Sequence, residues 1–155
     1  MKFTPSQTQT LVGLTAETLR YWKKHLPPIA AKRGHAPCYS RSEVLALIVV
    51  RRLVRDFKMD VSVLGANASK LFEVCSRSSQ WPRLAPQWLV VTAAGAVVTR
   101  ENLFEPPLAD PAVVFPVEVA VRELDDKLTA QDAEPQLELS LPPVVISRVA
   151  GRRAS

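Results

Sequence analysis

Apolar residues recur along this 155-residue chain with two different periods, and the change of period divides it. Leu19, Trp22 and Leu26 return at the spacing of a helix turn, which predicts a helix over 15–26 with these three on one buried stripe. Glu17, Thr18, Arg20, Tyr21 and Lys24 then point outward. Thr15 can cap the first turn, and Glu17 stands where the helix dipole favours an anion. Further on, Ser40-Arg41-Ser42-Glu43 has capping-box spacing. Behind it Val44 to Val50 are all apolar, and Leu53, Val54 and Phe57 continue the pattern. The β-branched run Leu47 to Val50 would suit a strand, but the cap and the later apolar positions favour a helix. Apolar residues cover most of its circumference, so it belongs at the centre of the domain, buried on more than one side. Asp60 can cap a third helix with Val61, Leu64, Ala68, Leu71 and Phe72 on one face.

Residues 76–87 are polar, contain prolines and keep no period, so they read as a connector. Beyond them the chain reads as short strands. Trp88–Thr92 and Ala96–Arg100 form a candidate hairpin around Ala94-Gly95, and Ala112–Phe115 a third strand ended by Pro116. Val117 to Leu128 returns to helical spacing, with Val117, Val121, Leu124 and Leu128 inside and Glu123, Asp125 and Asp126 outside. Gln136–Leu141 alternates like an edge strand, and 142–155 reads as a flexible tail. From Ser76 onward stand nine of the thirteen prolines, which excludes a long coiled coil. The expected fold class is therefore α+β. Its expected parts are an α-rich domain over 1–75, a linker over 76–87 and a small α+β unit over 88–141. That unit is too small to guarantee its own core, so it should pack on the first domain or on a second copy of itself.

Charge sharpens the division. Residues 1–79 hold thirteen Lys/Arg against five Asp/Glu, a net of +8; the whole chain is +5, so 80–155 carry −3. A basic half joined to an acidic one suits a polyanion-binding domain attached to a different module. Arg20 and Lys24 could reach phosphates or guanine edges, while Thr18 and Tyr21 could donate to backbone oxygens. The same pattern also suits an ordinary amphipathic helix with a solvated basic face.

Residues 3–22 carry a more specific signal. Phe3-Thr4-Pro5, a short polar helix, and then Gly13-Leu14-Thr15-Ala16-Glu17-Thr18-Leu19-Arg20-Tyr21-Trp22 resemble the N-terminus of the MerR family without a gap. Gly13 falls at the tight turn between two helices, where positive φ is useful. The resemblance continues through Leu26-Pro27-Pro28 and Tyr39-Ser40-Arg41-Ser42-Glu43-Val44, ends near residue 75, and so covers about half the chain. It implies a winged helix-turn-helix domain that binds double-stranded DNA through a recognition helix, 15–26, and a wing, 29–38. The implied contacts are Thr15, Glu17, Thr18, Arg20, Tyr21, Lys23 and Lys24 on the helix, with Lys32, Arg33, His35 and Tyr39 around the wing. Arg51, Arg52 and Arg55 could clamp flanking phosphates; pairing with Asp56 or plain solvation is the other reading of each. Two departures stand out. The family's wing closes with Gly-Tyr-Arg-x-Tyr, whereas His35-Ala36-Pro37-Cys38-Tyr39 puts a proline where the arginine belongs. Thr8 also occupies a position the family gives to a core Leu.

The resemblance makes a dimeric, sequence-specific transcriptional regulator the leading expectation, although the family's long dimerisation helix has no counterpart here. Two other readings stay open. One is an excisionase-like architectural factor that bends DNA; the other is an antitoxin-like or adaptor protein whose acidic half binds a protein partner. A small-molecule effector could also be read by that half. Trp81 and Trp88 suit core packing better than a pocket. The two histidines lie in the basic half, and no phosphate loop, metal-ligand motif or nucleophile elbow is present, so neither enzyme activity nor a cofactor is expected. Cys75 reads as a buried apolar residue, and a reactive Cys38 beside the wing as a minor alternative. There is no signal peptide or 18-residue apolar stretch, so the expected location is cytoplasmic, on the nucleoid rather than a membrane.

Overall fold

The computed structural model describes residues 1–80, 87–102 and 110–132. The expected strand over 136–141, the tail over 142–155 and Trp81 lie outside the described residues.

The chain begins with strand β1, Lys2–Phe3. Thr4 then starts helix α1, Pro5–Val12, through a full capping box: Gln7 N–H donates to Thr4 Oγ1 at 3.2 Å and Thr4 N–H to Gln7 Oε1 at 2.9 Å. Pro5, lacking an N–H, occupies the first turn, where a donor would have no helical partner. Gly13 closes the helix in the left-handed region at φ +76°. Helix α2, Ala16–His25, follows at once, capped by Thr15, whose Oγ1 accepts from Thr18 N–H at 3.1 Å. Leu19, Trp22 and Leu26 are buried, as the periodicity requires.

The segment expected to form the wing does not begin as a loop. Pro27–Ala30 make one helical turn, α3, because Pro27 and Pro28 preset φ for it and Ile29 anchors it in the core. A loop over 31–38 follows and leads into strand β2, Tyr39–Ser40. β2 pairs antiparallel with β1 in the register Lys2↔Ser40 and Phe3↔Tyr39, and Cys38 N–H donates to Phe3 O at 3.0 Å. Among the described residues, this two-residue ladder is the strand pairing nearest the wing.

Helix α4, Arg41–Asp56, takes up the run for which the cap and later apolar positions favour a helix over a strand. Ser40 and Glu43 satisfy each other's backbone donors at its start, which settles the local conformation. Val44 to Val50 are then all buried, since α1, α6 and α7 surround this helix.

The single helix expected after Asp60 is broken in two. Asp60 caps only α5, Val61–Gly65, and a second helix, α6, runs over Ala68–Gln80. At the break Asn67 makes a tertiary contact, donating through Nδ2 to Gly95 O at 2.8 Å. α6 also continues into the polar stretch expected to be connector. Ser78 is buried there, with its hydroxyl 3.0 Å from Val74 O and 2.7 Å from Gln87 Oε1, so this polar side chain is satisfied within the fold.

Strands β3, Trp88–Thr92, β4, Val97–Arg100, and β5, Ala112–Pro116, form an antiparallel sheet in the order β4-β3-β5. Gly95 makes the hairpin turn at φ +83°. Leu89, Val91, Val97 and Phe115 face the core, while Val98 and Val114 flank Val90 on the opposite face. Helix α7, Val117–Asp132, lies against α4 and α1 through Val117, Ala120 and Leu124. One hydrophobic cluster runs from Phe3 to Leu124 and so includes residues from both halves of the chain. Among the described residues the longest helices, α4 and α7, have 16 residues each, there is no coiled coil, and no helix is long and apolar enough to cross a membrane.

Candidate nucleic-acid interface

Helix α2 divides cleanly between core and solvent. Leu19 and Trp22 retain 3% and 4% exposure, which holds the helix in place, while Glu17, Arg20 and Lys24 are exposed. Neither Arg20 nor Lys24 has an ion pair among the described residues, so their charges remain available. Tyr21 is about half exposed at 48%, and its ring meets that of His25 at 4.6 Å. Thr15 and Thr18 hold each other, their hydroxyl oxygens 2.8 Å apart, and keep limited capacity for an outside partner.

The loop over 31–38 is tied to α2 rather than hanging free. Lys23 Nζ donates to Lys32 O, and Lys32 Nζ donates to Cys38 O at 2.6 Å while pairing with Glu43 at 3.0 Å. Both ammonium groups stand 6.0 Å from the centroid of the Tyr39 ring. Lys23, Lys32 and Tyr39 thus form an internal strut between α2, the loop and α4. The three arrangements share one reason. Long lysine side chains lie back over an aromatic ring when carbonyl and carboxylate acceptors stand beside it. Tyr39 itself is fully buried, and its hydroxyl has no partner among the described residues. Burial chiefly, with the charges of Cys38 and Glu43, pushes its pKa up to about 12. Arg33 and His35 are exposed on the loop, and Gly34 between them adopts φ +83°.

The arginines of α4 have a different fate. Glu123, expected to face solvent on α7, instead lies at 14% side-chain exposure and gathers three cations. Arg51 Nη2 donates to Oε1, Lys127 Nζ donates to Oε1 at 2.8 Å, and Arg52 Nε and Nη2 donate to Oε2 at 3.1 and 2.9 Å. Burial would push the Glu123 carboxyl up, but the hydrogen bonds from Lys127, Arg51 and Arg52 outweigh it and bring its pKa down to about 2. Arg51, at 13% exposure, is therefore a structural residue; its guanidinium lies 3.2 Å from where a Cβ on Gly13 would stand. Arg52 is shared, since Nη1 also reaches Asp56 at 3.3 Å. Arg55 is exposed and has no partner among the described residues.

The partners of these arginines were half legible. Glu123 and Lys127 stand at i, i+4, a spacing that signals pairing, but nothing local shows that α7 turns this pair toward α4. Phe57, which the apolar pattern carries into the helix, is instead the exposed C-cap residue of α4, and Lys58 beyond it is exposed at φ +56°. Cys75 is buried and its thiol is pushed up to about 12 by burial alone, which makes it inert; Cys38 is partly buried. No group of His, Cys, Asp and Glu suited to a metal ion occurs among the described residues. Comparisons with protein-family models, with curated proteins and with solved structures find no match to this chain.

Proposed function

We propose that this protein is a sequence-specific regulator that binds double-stranded DNA as a dimer, in the manner of the MerR family its N-terminal residues resemble. The observation that carries the reading is the outward face of α2. Arg20, Lys24 and Tyr21 are exposed there on a capped helix whose other face is locked by Leu19 and Trp22. Guanidinium and ammonium groups left unpaired on a rigid helix suit phosphate and base-edge contacts, because their desolvation is offset only when an anion or acceptor arrives. Arg33 and His35, on a loop braced against α2 by Lys23, extend the same surface. The acidic half then serves pairing, an effector or a protein partner.

Selection of bound fragments from a random duplex pool near physiological salt tests this directly. An enriched inverted repeat is the expected result, its half-site spacing reporting the dimer geometry. Direct repeats would transfer the reading to an architectural bending factor. Retention without enrichment, abolished by salt, would overturn sequence-specific binding and leave the basic half as a tether.

A further inference from the structure

Between α4 and α7 lies an open cavity of about 370 Å³ lined by Arg51, Arg52, Arg55, Asp56 and Glu123. Its size is that of a small-molecule cleft, roughly 300–1,000 Å³, but such clefts are mostly apolar and this one is walled by charge. Three guanidinium groups face two carboxylates, and Lys127 adds a fourth cation through Glu123, so the local charge stays positive after every pair is formed. A cation is therefore the wrong occupant, and the carboxylates are already engaged by their arginines.

We infer that this cavity is a binding site for a phosphate group, held by Arg55 together with the free edge of Arg52. A guanidinium carries five N–H donors in a planar fork. Glu123 and Asp56 take three from Arg52, at Nε, Nη2 and Nη1, which leaves one N–H on each of Nη1 and Nη2. All five of Arg55 remain. Two such forks, one fixed by hydrogen bonds and one free, match the several acceptor oxygens of a phosphate, and arginine binds these bidentately. Arg51 supports the site from behind: it is held by Glu123 and packed at the Gly13 turn that leads into α2. The phosphate belongs either to a DNA backbone flanking the α2 contact or to a free phosphoester. The first source rests on the proposed DNA-binding function, while the second does not.

The test is nitrogen-15 NMR of the arginine Nε–Hε groups in the full chain, each assigned by its lysine variant. A short mixed-sequence duplex and, separately, inorganic pyrophosphate are the titrants. Saturable shifts of Arg52 and Arg55 with the duplex are expected, and Arg55→Ala should lower the slope of log affinity against log salt by about one. Shifts with pyrophosphate but not with the duplex would uphold the phosphate site and assign it to a free phosphoester. If the duplex shifts Arg20 while Arg52 and Arg55 ignore both titrants, the site is overturned and DNA binding through α2 stands. If neither titrant moves any of these arginines, both fall.

Discussion

Gly65 presses its backbone so closely on the carbonyl group of His25 that a Cβ at position 65 would overlap the oxygen. The contact joins α5 to the last turn of α2. On the other side of α5, Gly95 of the hairpin turn makes an equally tight approach to Val63 O, beside the hydrogen bond from Asn67. α5 is thereby wedged between the candidate DNA-reading helix and the sheet of the second half. Movement of the hairpin would be felt at the end of α2, a physical route by which a partner or effector could act. Gly65→Ala should destabilise the fold by about 1–3 kcal/mol, as overpacking does, because backbone on both sides cannot yield easily. Gly34→Ala is the control: φ is +83° there with open space around it, so only backbone strain of about 1–2 kcal/mol applies. Urea unfolding compares the two, and a loss in Gly65→Ala no larger than that in Gly34→Ala would dispose of the wedge.

Contacts and core on α2 should separate under mutation. Arg20→Ala and Lys24→Ala are expected to leave thermal stability unchanged within roughly 0.5 kcal/mol, as for exposed sites, while weakening DNA binding in a salt-sensitive way. Leu19→Ala and Trp22→Ala, at buried positions, should instead lose roughly 2–5 kcal/mol of stability. Tight binding of a selected duplex by Arg20→Ala would sink the assignment of α2 as the reading helix.

Glu123 should make the fold acid-sensitive in a defined window. Its folded-state pKa is about 2 against an ordinary 4.5, so its stabilisation is complete above 4.5 and is lost as the pH falls toward 2. That contribution is at most about 3 kcal/mol. Glu123→Gln should therefore be less stable than the parent at pH 7 by about 1–3 kcal/mol, and the gap should narrow as the pH falls below 4.5 and close near pH 2. Chemical unfolding at a series of pH values measures it, and a gap independent of pH would disprove the ion-cluster account.

Among the described residues two buried hydroxyls stand without partners, Thr8 Oγ1 and Tyr39 Oη. An unsatisfied buried hydroxyl costs about 1–3 kcal/mol, so apolar replacements of similar shape should be neutral or stabilising. Thr8→Val and Tyr39→Phe are expected to raise the unfolding midpoint or leave it unchanged. Tyr39→Phe should also leave DNA affinity intact, since the side chain never reaches solvent. A loss of affinity in this variant would restore Tyr39 to the interface.

The legible and illegible parts of this protein differ by the range of the forces behind them. Caps at Thr15, Ser40 and Asp60, the left-handed turn at Gly13, the buried stripe of Leu19, Trp22 and Leu26 and the hairpin around Gly95 are all visible in the sequence and present in the structure. Each depends on residues within a few positions of one another, so spacing alone specifies it. The α+β class and the lack of room for a coiled coil follow from the same local periods and from the prolines. What only tertiary structure decided is which charged side chains remain free. Glu123 is far in sequence from Arg51 and Arg52, yet α7 lays it on them, while Lys23 and Lys32 turn inward over Tyr39. Asn67, at the break between α5 and α6, finds Gly95, and the buried Ser78 of α6 finds Gln87. Long flexible side chains choose their partners after the backbone has packed, and no local pattern records that choice.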